Sequence, residues 1–192
     1  MRKISAFTLA ETIMTIGVIG VIVVMTTAAL KGNVDTRTLN SQQKVFKQKL
    51  GDGFRKMQIK GALERSYGST EAFVEVMREH FNIVKVCPKD KLTGCFDEKI
   101  RSNKNTVLYN LNNISSSEQL GVRFRKPSNI VGLVFNDGVE ALITYDTDCV
   151  MPERWDTSAN VTKCLVMYYD VNGGIGAGVI GQDIQILNTN NY

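Results

Sequence analysis

The sequence predicts an α+β protein in which a long N-terminal α-helix, transmembrane in its first half and a stalk in its second, packs on a C-terminal antiparallel β-sheet. Three observations predict it. Charge is absent between Glu11 and Lys31. Apolar residues then recur at helical spacing as far as about Lys60. The last third changes to short β-branched and aromatic runs separated by turn residues, and helix first with strands afterwards is an α+β order.

The first element is the run from Thr12 to Leu30, rich in Val, Ile, Met and Ala, with no charge and no proline. At about 1.5 Å per residue it is close to the length that crosses a hydrocarbon core of about 30 Å. Arg2 and Lys3 precede it, which keeps the N-terminus cytoplasmic and exports the remainder. A signal peptide cut near Thr26-Thr27-Ala28-Ala29 and a plain membrane anchor are the rival readings. Neither accounts for Glu11 at the head of the run. An acid costs roughly 2.5–3.5 kcal/mol at the centre of a spanning helix and less near its end, while each Leu, Ile, Val or Phe returns roughly 0.3–0.6 kcal/mol. Insertion therefore survives, but the acid calls for a partner.

Beyond Leu30 the pattern is amphipathic. Val34, Leu39, Val45, Phe46, Leu50, Phe54, Met57 and Ile59 stand among Lys, Gln and Arg, predicting a helix that ends near Lys60, with Gly51-Asp52-Gly53 as its weak point. Ser69 or Thr70 caps a second helix carrying Phe73, Val74, Met77 and Phe81, and it leads into Ile83–Cys87. His80 reads as an ordinary residue of that helix. The Asn-, Ser- and Lys-rich stretch from Asp97 to Lys126 reads as loop. Ile130–Phe135, Asn136-Asp137-Gly138 and Val139–Tyr145 read as a hairpin; Cys164–Tyr169 is a third strand and Asp183–Leu187 a fourth.

The net charge of +4 is too mild, and the basic residues too scattered, to argue for nucleic acid. The loose basic cluster from Lys44 to Lys60 reads as a solvated helix face. Four cysteines, Cys87, Cys95, Cys149 and Cys164, behind an apolar segment suggest disulfides in an oxidising compartment. All three pairings stay open, with short loops favouring Cys87–Cys95 and Cys149–Cys164. Zinc is disfavoured by the lack of a CxxC pair and by a single histidine. No nucleophile–base pair or phosphate loop is evident, so no enzyme is expected, and the Gly174–Gly181 run precedes no helix.

Ala6-Phe7-Thr8-Leu9-Ala10-Glu11 before an apolar run resembles the processing motif of the type IV pilin and type II secretion pseudopilin family. The resemblance implies a pilin-like fold and a precursor cut between Ala6 and Phe7 by prepilin peptidase, which also methylates the new amine. It divides the chain into a leader (1–6), a transmembrane and assembly helix (7–30) and an exported domain (31–192) that includes the amphipathic half of the stalk. Glu11 becomes the acid at the fifth mature position, placed to neutralise the Phe7 amine of a neighbouring subunit. Two departures stand out: Ala6 where glycine is usual, and Ala28 where many relatives carry a helix-breaking proline.

Asp170-Val171-Asn172-Gly173 and the later Gly181-Gln182-Asp183 are similar to the C-terminal turns of the secretion class. Major pseudopilins use calcium in such a loop, and Asp170, Asn172 and Asp183 are hard oxygen donors of the kind calcium takes. The competing expectation is a glycine-rich turn with local hydrogen bonds and no cofactor. The implied protein is a structural filament subunit of the bacterial inner membrane, and later of a periplasmic pseudopilus or an extracellular pilus. Its partners would be prepilin peptidase, other pilin or pseudopilin subunits and the inner-membrane assembly platform. The alternative is an exported binding domain on a plain single-span anchor.

Overall fold

The structure is a computed structural model, and it describes residues 37–148, 164–174 and 178–188. The chain separates into two compact units, Met1–Ser41 and Gln42–Tyr192. All the described elements belong to the second unit, except the first residues of helix α1, which covers residues 37–59. This helix buries Phe46, Leu50, Phe54 and Met57, a stripe at three- and four-residue spacing, and leaves Lys44, Lys47, Arg55 and Lys56 exposed. It runs unbroken through Gly51 and Gly53, and Gly53 admits the Phe81 ring: a Cβ there would lie 2.2 Å from it. Gly61, at φ +68°, ends the helix in a Schellman turn, donating to Gln58 O while Ala62 donates to Met57 O, each at 2.9 Å.

Helix α2 (Thr70–Arg78) starts where Ser69 Oγ accepts from the Ala72 amide at 3.1 Å, and buries Phe73, Val74 and Met77. Its first turn is tied to the strands, because Thr70 Oγ1 donates to Asn129 O at 2.7 Å and accepts from the Tyr145 amide at 3.2 Å.

Seven strands complete the described residues: β1 Ile83–Cys87, β2 Lys99–Arg101, β3 Val107–Asn110, β4 Val131–Phe135, β5 Glu140–Tyr145, β6 Leu165–Asp170 and β7 Ile184–Asn188. β1, β4, β5, β6 and β7 form one antiparallel sheet in that order, and β2 and β3 form a second sheet of two strands. Every residue of β6 is buried, so the large sheet is covered on both faces. On one face lie the helices, with Phe46 packed on Phe135 and Tyr169 at 5.1 and 5.0 Å between ring centres, and Phe73 stacked on Tyr145 at 4.7 Å. On the other lies an irregular layer of 3₁₀ turns (Leu92–Gly94, Leu111–Asn113, Ser117–Leu120) and the β2–β3 ribbon. Leu92, Phe96, Ile100, Leu111 and Leu120 of this layer pack on Leu142, Val166 and Tyr168.

The expected fold class is corrected by this architecture. The described chain is mostly antiparallel sheet with two α-helices, not a long transmembrane and stalk helix bearing a sheet, and no helix among the described residues is long and apolar enough to cross a membrane. The extra strand content escapes a sequence reading for a physical reason. β2 and β3 are three and four residues long, lie among Asn, Ser and Lys, and are too short to show alternation. The segment 97–126, expected as loop, contains both. The apolar run from Thr12 to Leu30 lies outside the described residues.

Candidate functional site

Four carboxylates gather where β5, β6 and β7 meet the irregular layer. Glu140 opens β5 and pairs across the strands with Asp170, the last residue of β6, which pairs in turn with Ile184 of β7. Alternation sends Glu140 and Asp170 to the same face as Leu142 and Tyr168, towards the irregular layer. Asp97 arrives from that layer, just before β2. The Cys87–Cys95 disulfide (Cα–Cα 6.0 Å) holds the turn that delivers it. Gly132 of β4 makes room for that bridge, since a Cβ there would stand 2.9 Å from Cys95 Cβ and 3.2 Å from Cys87 Cβ.

Asp183 has a different task. Its Oδ2 accepts from the Gly178 amide at 3.0 Å, and its Oδ1 from the amides of Val179 and Ile184 at 2.6 and 3.1 Å. Both oxygens hold the turn into β7. That turn is also joined to β2, because Arg101 donates to Gly178 O at 2.8 Å and Ile180 donates to Arg101 O at 3.0 Å. Asp170 Oδ1 accepts from the Asn172 amide at 2.9 Å, an Asx turn. Its Oδ2 is buried without a hydrogen-bond partner, in a residue only 1% exposed.

Like charges directly opposite one another on a sheet are destabilising. Burial, then the charges of Asp97 and Asp170, push the Glu140 carboxyl up to about 7, and the Lys85 ammonium pulls the other way. Asp170 rises to about 6, through burial and the charges of Asp183 and Asp97, against backbone N–H groups that favour its ionised form. Asp97 is also raised, by burial and by Asp183. Lys85 is the cation that opposes the shift at Glu140, and its Nζ donates to Gly94 O.

Of the calcium donors expected from sequence, Asp170 and Asp183 do come together, with Asn172 beside Asp170. Among the described residues no three His, Cys, Asp or Glu side chains are placed to hold a metal ion between them. Asp97 and Glu140 were missed by sequence reasoning. No local motif links them, and only the register of β5 on β6 and the disulfide-held turn bring them near.

Cys87 and Cys95 are bonded to each other, and Cys164 is also disulfide-bonded. Cys149, Ala6, Phe7 and Glu11 lie outside the described residues. His80 lines a half-open cleft of about 280 Å³ with Phe46, Lys49, Lys56, Phe81 and Asp137. In it Lys49 Nζ lies 2.7 Å from Asp137 Oδ2. No family model matches the chain, and no curated protein or solved structure matches it either.

Proposed function

We propose that the chain is a structural subunit of a type IV pilus-like or type II secretion filament, cut before Phe7 and assembled through its apolar N-terminal segment. The observation that carries this reading is the order of Ala6-Phe7, Glu11 and the uncharged run from Thr12 to Leu30. A new amine at Phe7 and a carboxylate at Glu11 are each costly at a bilayer edge, and side-by-side packing of two copies lets one neutralise the other. Exchange of lipid contact for contact with neighbouring apolar segments then allows the subunit to leave the membrane without exposing that surface to water. Disulfide bonding at Cys87, Cys95 and Cys164 supports export to an oxidising compartment.

The test is mass spectrometry of the N-terminus of the chain isolated from its host membranes. The expected species begins at Phe7 with a methylated amine. An intact Met1, or a start after Ala29, would instead indicate an exported domain on a plain anchor or behind a signal peptide. A second arm uses Glu11→Ala, which should insert normally and fail to enter filaments; ordinary incorporation would reject charge pairing.

A further inference from the structure

We propose that the exposed face of α1, the line of Arg37, Lys44 and Arg55 flanked by Lys47, docks on the anionic phospholipid headgroups of the bilayer that holds the apolar run. The docking rests on the reading of Thr12–Leu30 as membrane-embedded, which underlies the filament subunit and the plain anchor alike.

The charge pattern comes first. Along α1 the cations are Arg37, Lys44, Lys47, Lys49, Arg55 and Lys56, and Asp52 is the one acid among residues 37–59. Lys49 is paired with Asp137, and with Asp52 and Lys56 it lines the cleft beside His80. The other four cations are exposed and enter no ion pair among the described residues. The steps from 37 to 44 and from 44 to 55 are close to two and three helical turns, so Arg37, Lys44 and Arg55 fall on one line. That line lies about half a turn around the helix from buried Phe46 and points away from the sheet. Lys44 and Lys47 are one turn apart, a spacing at which like charges repel, and no acid stands three or four residues from either. Alternating signs mark a helix face that meets only water, and this line carries one sign.

Apolar exposure comes second. Ile59, one turn beyond Arg55, is 79% exposed, and Val45, next to Lys44, is 52% exposed. Cations interleaved with exposed aliphatic side chains suit the boundary between headgroups and acyl chains, where both kinds of side chain find partners.

Chain length selects the bilayer over a soluble polyanion. Residues 31–36 join Leu30 to α1, a reach of at most about 25 Å when fully extended, so Arg37 starts beside whichever membrane holds the run. The tether gives the cationic face a high effective concentration at that surface. Attraction between lysine or arginine and an anionic surface falls off within a Debye length, so only a face held this close profits from it.

The experiment uses the full chain reconstituted in nanodiscs of phosphatidylcholine alone, or of phosphatidylcholine with about one-third phosphatidylglycerol. Lysine acetylation, read by mass spectrometry, reports which amines the bilayer covers. In anionic discs, labelling of Lys44 and Lys47 should fall about threefold or more relative to neutral discs, and about 0.5 M salt should restore it. Lys104, exposed in the turn between β2 and β3 on the other side of the sheet, should label equally in both. Arg37→Gln combined with Arg55→Gln keeps both reporter lysines and should recover much of their labelling. Unchanged labelling of Lys44 and Lys47 in anionic discs overturns the proposal, as does full protection in the double variant. Equal protection in neutral discs on addition of inorganic phosphate would assign the face to a free anion and overturn it too. Flotation with phosphatidylcholine vesicles separates this failure from failure of the reading beneath it. A chain that floats but shows no protection keeps its membrane-embedded run and loses only the docking, whereas one that does not float loses both.

Discussion

The large sheet is covered by two unlike layers. On one face, α1, α2 and the turn after α2 lay down Phe46, Phe54, Phe73 and Phe81, and the strands answer with Phe135, Tyr145 and Tyr169. On the other, short 3₁₀ turns and a two-stranded ribbon cover Leu142, Val166 and Tyr168, with the carboxylates at the rim. The helices satisfy their own backbones and contribute apolar area. The irregular layer depends on cross-links instead: the Cys87–Cys95 bridge, and the Asp183 carboxylate accepting three backbone amides. One layer stabilises the sheet. The other buries like charges at a cost, and a region that retains such a cost is where a ligand is expected.

The contrast is tested most severely by deleting a ring from the helix layer. Phe73 is fully buried and stacked on Tyr145. Phe73→Ala should lower unfolding free energy by about 3–5 kcal/mol, measured by urea denaturation. A loss below about 1 kcal/mol would show that the helix layer is not what holds the sheet.

The next test falls on the other layer. Replacing both Cys87 and Cys95 by alanine should cost roughly 2–3 kcal/mol, the loop-closure contribution for cysteines eight residues apart. The loss should be local as well. Amide hydrogen exchange ought to accelerate in β2 and in the segment before it more than in α2. Uniform acceleration would mean that the two layers unfold as one. Gly132→Ala probes the same contact from the sheet side, with an expected cost of about 1–3 kcal/mol from crowding against both cysteine Cβ atoms.

The acidic rim should respond to pH in the direction opposite to most surface carboxylates. Burial and neighbouring carboxylates push Glu140 up to about 7 and Asp170 up to about 6, both above their ordinary values of 4.5 and 3.8. The folded state therefore holds protons that the unfolded state has released, and stability declines as pH rises from about 4 to about 7. Tm should be lower at pH 8 than at pH 5, after allowance for the rest of the chain by comparison with Glu140→Gln, which should flatten the slope. A wild-type slope identical to that of the variant would remove Glu140 from the account.

The same contrast explains what the sequence discloses. The described part of α1, α2 and the β4–β5 hairpin are legible because their signals are local: the 46, 50, 54, 57 stripe, the Ser69 cap, and Asn136-Asp137-Gly138 between two apolar runs. The irregular layer is not legible. β2 and β3 are held by pairing with each other, and β2 also through Arg101 with residues 178–180, nearly eighty positions away, a dependence that no window along the chain contains. The candidate site divides along the same line. Asp170, Asn172 and Asp183 stand out as turn acids near glycines, whereas Asp97 and Glu140 look like ordinary surface charges until strand register and a disulfide bring them to one rim.

The smallest effect belongs to the helix layer and serves as its control. Ser69 Oγ accepts from the Ala72 amide, one of the donors that the first turn of α2 cannot satisfy within the helix. Ser69→Ala should cost about 1 kcal/mol, and Ser69→Gly less, because glycine leaves the N-terminus open to water. Neither substitution touches the irregular layer, so the pH slope should stay at its wild-type value. If loss of this cap changed that slope, the two faces of the sheet would be energetically coupled, and the separation between a stabilising layer and a charge-burying one would have to be abandoned.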